Sequence, residues 1–447
     1  MDRACLKDTG IDSRPALSRV GTPLFCDLIV SHRCFFKCQM CIDWKTPSGA
    51  AMLTFPECKR FVDSLADFID YRFDINIMGG EPLALDWILP LCEHIQKKGF
   101  QAILSTNAYL IDEEVAKKII DSHLGVLGIS LDGMTAETHD SIRGTPGSYA
   151  RVMEAVEHLK KYRKDAPHIS ILTLMLEKNV EQLPELVRWV GSTDVIGGIS
   201  FLALLESGLV KDKEGWFRQA AYKHLWPQDP GKVSGVIDEL IALKKQGHKI
   251  VNPVSQLEAF KEYYRDPEKF LRETEYCIHD YIIDLDPSSE ILLSGHPLGS
   301  LKNSHDLKEL WFSEKANQIR RYIDEYGCDS SRSCLINFLC AFPPDGDDQL
   351  DHYGNLAFFY QVRGKYDQSL LHFKKALIRN PRNANLHLGV AYSYFKLKDY
   401  RASVDAYDRA FGLKPDLRKD REIMSDYQKT LEGALQFYTQ RRRDLYR

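Results

Sequence analysis

Between residue 24 and about residue 204, short runs rich in β-branched and aromatic residues alternate with longer stretches whose apolar residues recur at intervals of three and four. The short runs are LFCDLIVS (24–31), FDINIM (73–78), FQAILSTN (100–107), LGVLGISL (124–131), HISILTLML (168–176) and DVIGGISFLAL (194–204). Between them, FPECKRFVDSLADFID and DWILPLCEHIQKKG carry the period of amphipathic helices. Six β-α repeats in one direction predict a parallel α/β sheet with helices packed outside it, because parallel strands need crossover connections of one hand. Such a sheet stays open or curls toward a barrel. In both cases the loops that follow the strands gather at one end, where ligands bind.

After this unit the pattern changes. Residues 206–276 read as connecting helices, notably VSGVIDELIALKKQG. DYIIDLDPSSEILLS (280–294) holds two period-2 strands around a Pro-Ser-Ser turn and predicts a hairpin. A helix, DLKELWFSEKANQIRRYI, follows, and AFPPDGDDQLD reads as a linker. Beyond it the sequence repeats with a period of 34. Tyr353, Leu356, Ala357, Tyr360, Ser369, Phe373, Ala376 and Pro381 recur as His387, Val390, Ala391, Tyr394, Ser403, Tyr407, Ala410 and Pro415. This matches the tetratricopeptide pattern of small residues at helix crossings, aromatics in the groove and proline closing the second helix. The expected organisation is an N-terminal segment (1–22), the sheet unit (23–205), connecting helices (206–276), a small hairpin-and-helix module (277–341), a linker (342–352), and two repeats with a capping helix (353–447).

Composition narrows the classes. The 447 residues are 44% hydrophobic and 27% charged, with a formal net charge of -4 and a pI near 6.4. These values give no sign of a nucleic-acid-binding surface. No apolar run approaches the roughly 18 residues of a membrane span, and the N-terminus lacks a signal-peptide core. The expectation is a cytoplasmic protein. In a reducing compartment, clustered members of its eleven cysteines favour metal ligation over disulfides.

Two clusters stand out. CFFKCQMC places Cys34, Cys38 and Cys41 directly after the first predicted strand, and CDSSRSCLINFLC carries Cys328, Cys334 and Cys340. A structural zinc site needs four ligands, and His32 would supply the fourth beside the first three. Three thiolates around an iron-sulfur cube instead leave one iron free of protein. Cys5, Cys26, Cys58 and Cys92 are isolated and read as packing residues.

The first two thirds of the chain resemble the radical S-adenosylmethionine (SAM) family. The resemblance rests on CFFKCQMC, MGGEP (78–82), STN (105–107) and SLDGMTAETHDSIRG (130–144), in that order and each at a predicted strand end. It implies a partial (βα)6 barrel and a 4Fe-4S cluster on Cys34, Cys38 and Cys41, whose free iron chelates SAM. One electron then splits SAM into methionine and a 5′-deoxyadenosyl radical that takes a hydrogen atom from the substrate. The resemblance further implies that Gly79, Gly80 and Glu81 meet the methionine part of SAM. It places Ser130 and Arg143 on SAM as well, with Arg143 on the carboxylate; Met40 lies against adenine, and Asn107 and Asp132 are pocket residues. The chemistry implies an electron donor such as flavodoxin or ferredoxin.

The hairpin and the later cysteines resemble the auxiliary-cluster modules called SPASM and twitch. Cys277, Cys328, Cys334 and Cys340 are enough for one auxiliary 4Fe-4S cluster, zinc or an empty module being the alternatives, and His296 is a further candidate ligand. Two departures are that Ser294 stands where such hairpins carry cysteine, and that the gap from Cys328 to Cys334 is long. Such modules accompany enzymes that modify peptides, so the expected substrate is a peptide or protein side chain, with the repeats docking it or a carrier. A sugar or cyclitol dehydrogenase or epimerase is the alternative, and a non-catalytic repeat protein the third reading. No acid or base residue for the substrate step emerges from the sequence.

Overall fold

The computed structural model describes residue 23 and residues 25–47, 50–69, 73–164, 166–206, 215–273, 282–303, 306–326, 336–337, 353–354, 357, 360–361 and 365–445. Cys5, Cys277, Cys328, Cys334 and Cys340 lie outside them. All six predicted strands form: β1 (Phe25–Ser31), β2 (Asp74–Gly79), β3 (Gln101–Thr106), β4 (Val126–Ser130), β5 (His168–Met175) and β6 (Gly198–Ala203). Helices α1 (Phe55–Ala66), α2 (Ile88–Lys97), α3 (Glu113–Asp121), α4 (Ala136–Arg143), α5 (Ser148–Lys161) and α6 (Leu183–Ser192) connect them. Neighbouring strands are parallel and follow chain order from β1 to β6 without reversal. That is the order of a singly wound sheet, since a doubly wound one reverses at a switch point.

Alternation within the strands sorts two faces. Cys26, Leu28 and Val30 of β1, Ile75 and Ile77 of β2, and Ala102 and Leu104 of β3 are fully buried in one core with Phe61, Leu65, Leu91 and Ile95 from α1 and α2. Each Leu, Ile, Val or Phe among them contributes about 1.5–3 kcal/mol on leaving water. Cys26, Cys58 and Cys92 are wholly buried in this core, as packing residues should be. The opposite face carries polar residues: Asn76 Nδ2 donates to Asp27 Oδ1 (2.8 Å), and Ser105 Oγ to Asn76 Oδ1 (3.5 Å).

The predicted hairpin is present as β7 (Ile282–Leu285) and β8 (Glu290–Leu293), turned by Asp286, whose Oδ1 accepts from Ser288 N and Glu290 N. It is not free-standing. β7 pairs in parallel with β1, from Phe25↔Ile282 to Leu28↔Leu285, and β9 (His296–Ser300) extends the sheet to nine strands. Ser289 Oγ also donates to Glu57 Oε1 on α1 (2.8 Å).

Helices Pro230–Lys245 and Val254–Arg265 fill the connecting region, and Tyr263 and Tyr264 hydroxyls donate to Leu204 O (2.8 Å) and Met175 O (2.7 Å) at the ends of β6 and β5. Asn337, between Cys334 and Cys340 in sequence, bonds both N and O of Ala203, the last residue of β6. The C-terminal region is helical: Tyr366–Arg379, Ala384–Lys396, Tyr400–Leu413 and Arg421–Leu445, each packed on the next. The first and third of these begin 34 residues apart. Their periodic positions are buried in pairs: Ser369 and Ser403, Phe373 and Tyr407, Ala376 and Ala410. No helix among the described residues is long and apolar enough to cross a membrane.

Candidate active site

β1 ends at Ser31, and the chain then turns across the ends of the strands as the cysteine loop. Its path is set by close backbone contacts on two sides. Glu81 N donates to Arg33 O (3.1 Å), and a Cβ on Gly80 would lie 1.9 Å from that same oxygen. Gly79 has φ +99°, and a Cβ there would lie 2.3 Å from Ser31 O. On the other side Gln39 N donates to Ile142 O (3.0 Å), Gln39 Nε2 to Ser141 O (2.8 Å), and Gly144 (φ +60°) leaves no room for a Cβ beside Lys37 O. The glycines of MGGEP and the glycine after Arg143 therefore let two neighbouring loops clamp the cysteine loop.

The clamp encloses a cavity of about 200 Å³. Cys34, Cys38, Met40 and Cys41 of the loop line it, with Gly79, Gly80, Asn107, Ser130 and Arg143 from the ends of β2, β3, β4 and α4. Nine of the residues expected from sequence thus share one space. Phe36, Asp43, Trp44, Met78, Ser105 and Thr106 line it too. Of these, Met78 and Ser105 were signalled by strand alternation, which puts them on the face of Asn76; the others carried no such signal.

Each sulfur meets a nitrogen donor. Phe36 N–H faces Cys34, Asp43 N donates to Cys41 Sγ (3.4 Å), and the Arg143 guanidinium faces Cys38. Burial nevertheless pushes all three thiols up, Cys34 to about 11 and Cys41 to about 12, so protein groups alone do not hold them as thiolates. Among the described residues no three His, Cys, Asp or Glu side chains converge on a single ion. The three thiols line one cavity, a soft donor set of the kind an iron-sulfur cluster takes. His32 does not line the cavity; its Nδ1 contacts Asp43 Oδ1 at 2.9 Å.

Glu81 and Asp132 sit behind the cavity wall rather than in it. The buried Glu81 carboxylate accepts from Leu83 N (3.0 Å), Thr106 Oγ1 (2.7 Å) and Asn107 N (2.8 Å), which ties the end of β2 to the end of β3. Burial raises its pKa in spite of these donors. Asp132, fully buried, pairs with Arg143 Nη2 at 2.7 Å and accepts from Leu174 N (2.8 Å), while its own N–H donates to His139 Nδ1 (3.1 Å). Burial opposes the charge on Arg143, but Asp132 and Cys38 outweigh it and raise its pKa. Burial lowers His139 to about 3, so that ring is neutral, which suits its acceptor role. The auxiliary-site cysteines lie outside the described residues. His296, the further candidate ligand, opens β9, and Ser294, which stands where such hairpins carry cysteine, lies in the turn from β8 into β9.

The structure thus sets a three-cysteine loop at the ligand end of a parallel sheet. Residues 28–190 match the family model of the radical SAM superfamily. Over 163 residues the chain is 31% identical to the AdoMet-dependent heme synthase of Methanosarcina barkeri, covering 36% of this chain and 45% of the relative. It is 30% identical to the mycofactocin maturase MftC of Mycolicibacterium smegmatis over 156 residues, or 35% and 38% of the two chains. The chain thus spans less than half the length of these curated relatives. The fold resembles that of Streptococcus suis SuiB bound to precursor peptide SuiA, with a TM-score of 0.51, 14% identity and 68% of each chain covered.

Proposed function

We infer that the chain is an enzyme that cleaves SAM reductively and abstracts hydrogen from a peptide or protein side chain. The observation that carries this reading is the convergence of Cys34, Cys38 and Cys41 with Gly79, Gly80, Asn107, Ser130 and Arg143 on one cavity. When bound, a 4Fe-4S cluster supplies the electron that splits SAM. The chain's own residues do the rest. Cys34, Cys38 and Cys41 would hold the cluster, and the donors from Phe36, Asp43 and Arg143 would stabilise their sulfurs. Met40 would lie against the adenine, and the backbone at Gly79 and Gly80 would leave room for the methionine part. Asn107 and Ser130 line the cavity that SAM would fill, and Arg143 would take its carboxylate. Glu81 and Asp132 act by positioning, the first through Asn107 and the second through Arg143.

A peptide is favoured as substrate because this domain is related to a maturase and the fold is shared with a protein crystallised with a precursor peptide. Within this reading, the helical region is a pair of tetratricopeptide repeats with a capping helix that docks the substrate. Cys277, Cys328, Cys334 and Cys340, which lie outside the described residues, would hold one auxiliary cluster. Electron paramagnetic resonance of the reduced, iron-loaded protein tests the central step. Addition of SAM should shift the cluster's g-values, because SAM occupies the free iron; an unchanged spectrum rejects the assignment. Iron and sulfide near eight per chain support the auxiliary cluster, and values near four exclude it.

A further inference from the structure

The wall of the cavity divides by origin. The strand ends and α4 supply bare backbone at Gly79 and Gly80 and, Met78 apart, polar side chains such as Asn107, Ser130 and Arg143. The cysteine loop and the turn after it supply, besides the thiols, Phe36, Met40 and Trp44; the charged member of this half, Asp43, faces His32 at 2.9 Å. A molecule that fills the space therefore meets hydrogen-bonding groups from one side and apolar groups from the other. SAM has the same division, with an amino acid at one end and a flat purine at the other.

Of the two aromatic rings in the wall, Phe36 is already enclosed: it is 1% exposed, and Phe35 and Tyr109 meet it edge-on at 5.3 and 5.6 Å. Trp44 is half-buried and borders the cavity from the short helical turn Asp43–Lys45. Its one polar atom is engaged within the loop, since Nε1–H donates to Cys38 O at 3.1 Å, a carbonyl that also accepts from Cys41 N at 3.2 Å. The indole is thereby restrained by the backbone between two cavity-lining cysteines, and what it has left for a ligand is its π-surface. Lys45 Nζ lies over one face of the ring at 5.3 Å, and among the described residues no aromatic ring packs against the indole. A large planar side chain fixed in this way has little conformational freedom left to lose when a flat ligand stacks on it.

We propose that Trp44 is the platform on which the adenine of SAM stacks. The proposal rests on the reading that this cavity binds SAM. Met40 gives a purine an apolar contact but no π-face, and Trp44 supplies that face a few residues further along the same segment. Stacking of a base on an aromatic side chain strengthens binding beyond what an aliphatic side chain of similar bulk provides, so the ring itself, and not its volume, is the feature to test.

The test is anaerobic equilibrium dialysis of SAM against the iron-loaded protein, for wild type, Trp44→Phe and Trp44→Leu. Both variants lack the bond to Cys38 O, so the difference between them isolates the aromatic face. Trp44→Leu should bind SAM about tenfold more weakly than Trp44→Phe, with Trp44→Phe between it and wild type. Iron content should be the same in all three. If the leucine variant fails to load iron, Trp44→Met takes its place, with the same weakening expected. Equal affinities for the phenylalanine variant and a loaded aliphatic variant, or an aliphatic variant that binds SAM as tightly as wild type, overturn the proposal. Failure of both aliphatic variants to load iron overturns it as well, because Trp44 then serves the folding of the loop. An iron-loaded wild-type protein that retains no SAM overturns the reading of the site itself, a result distinct from these.

Discussion

Two glycines without room for a Cβ show how differently the two halves of the molecule are built. A Cβ on Gly80, at the ligand end of the sheet, would meet the backbone oxygen of Arg33 at 1.9 Å; one on Gly389, in the helical region, would meet the ring of Phe373 at 2.1 Å. A backbone atom can yield only by moving its loop, and that loop carries the cysteines. A side chain can turn or shift. The sheet end therefore has a geometry that fails as a unit, while the helices have a packing that relaxes locally.

Breaking this contrast should produce its largest effect at Gly80. The Gly80→Ala variant should fold yet load little or no iron, because displacing Arg33 O misplaces Cys34; iron analysis together with a retained circular dichroism spectrum checks it. Next is Asp132→Ala, which leaves the Arg143 guanidinium charged and unpaired in a nearly closed site. Breaking such a pair costs about 3–5 kcal/mol, measurable by urea unfolding. Gly389→Ala should cost less, about 1–3 kcal/mol of overpacking, with iron content unaffected. If Gly389→Ala lowers iron loading as much as Gly80→Ala does, the contrast between the two halves is wrong.

The smallest expected effect sharpens the account of the sheet. Asp27 and Asp284 stand side by side on β1 and β7, and burial raises both, Asp27 to about 6. A carboxyl raised in the folded state holds its proton more tightly there than when unfolded. It therefore favours folding at low pH, and that contribution is lost as pH rises from its unfolded value near 4 through about 6. Asp27→Asn keeps an acceptor for Asn76 and removes the titration. It should raise stability at pH 7 by roughly 1–2 kcal/mol relative to wild type and leave little difference at pH 4. A variant less stable than wild type at pH 7 contradicts the assignment.

Much of this was legible in the sequence. The six strands showed because their runs are bounded by helical periods, and the motif residues gather because each follows a strand end. Pairing of β7 with β1 was not legible, since a hairpin's own pattern does not say which distant edge it joins. The fates of Glu81 and Asp132 were hidden for a related reason. Sequence shows a carboxylate in a motif, but Thr106, Asn107, Leu174 and Arg143, which saturate it, come from other strands and helices. The Asp27–Asn76–Ser105 layer left a readable trace as polar residues at alternate positions in otherwise apolar runs.

The central claim is that three thiols around one cavity hold a cluster that splits SAM. The most direct measurement is 5′-deoxyadenosine released after anaerobic loading with iron and sulfide, addition of dithionite and SAM, and chromatography. Wild type should release it and Cys38→Ala should release none. A wild-type protein that binds iron and sulfide and still releases none, or a Cys38→Ala variant that releases as much as wild type, contradicts the account.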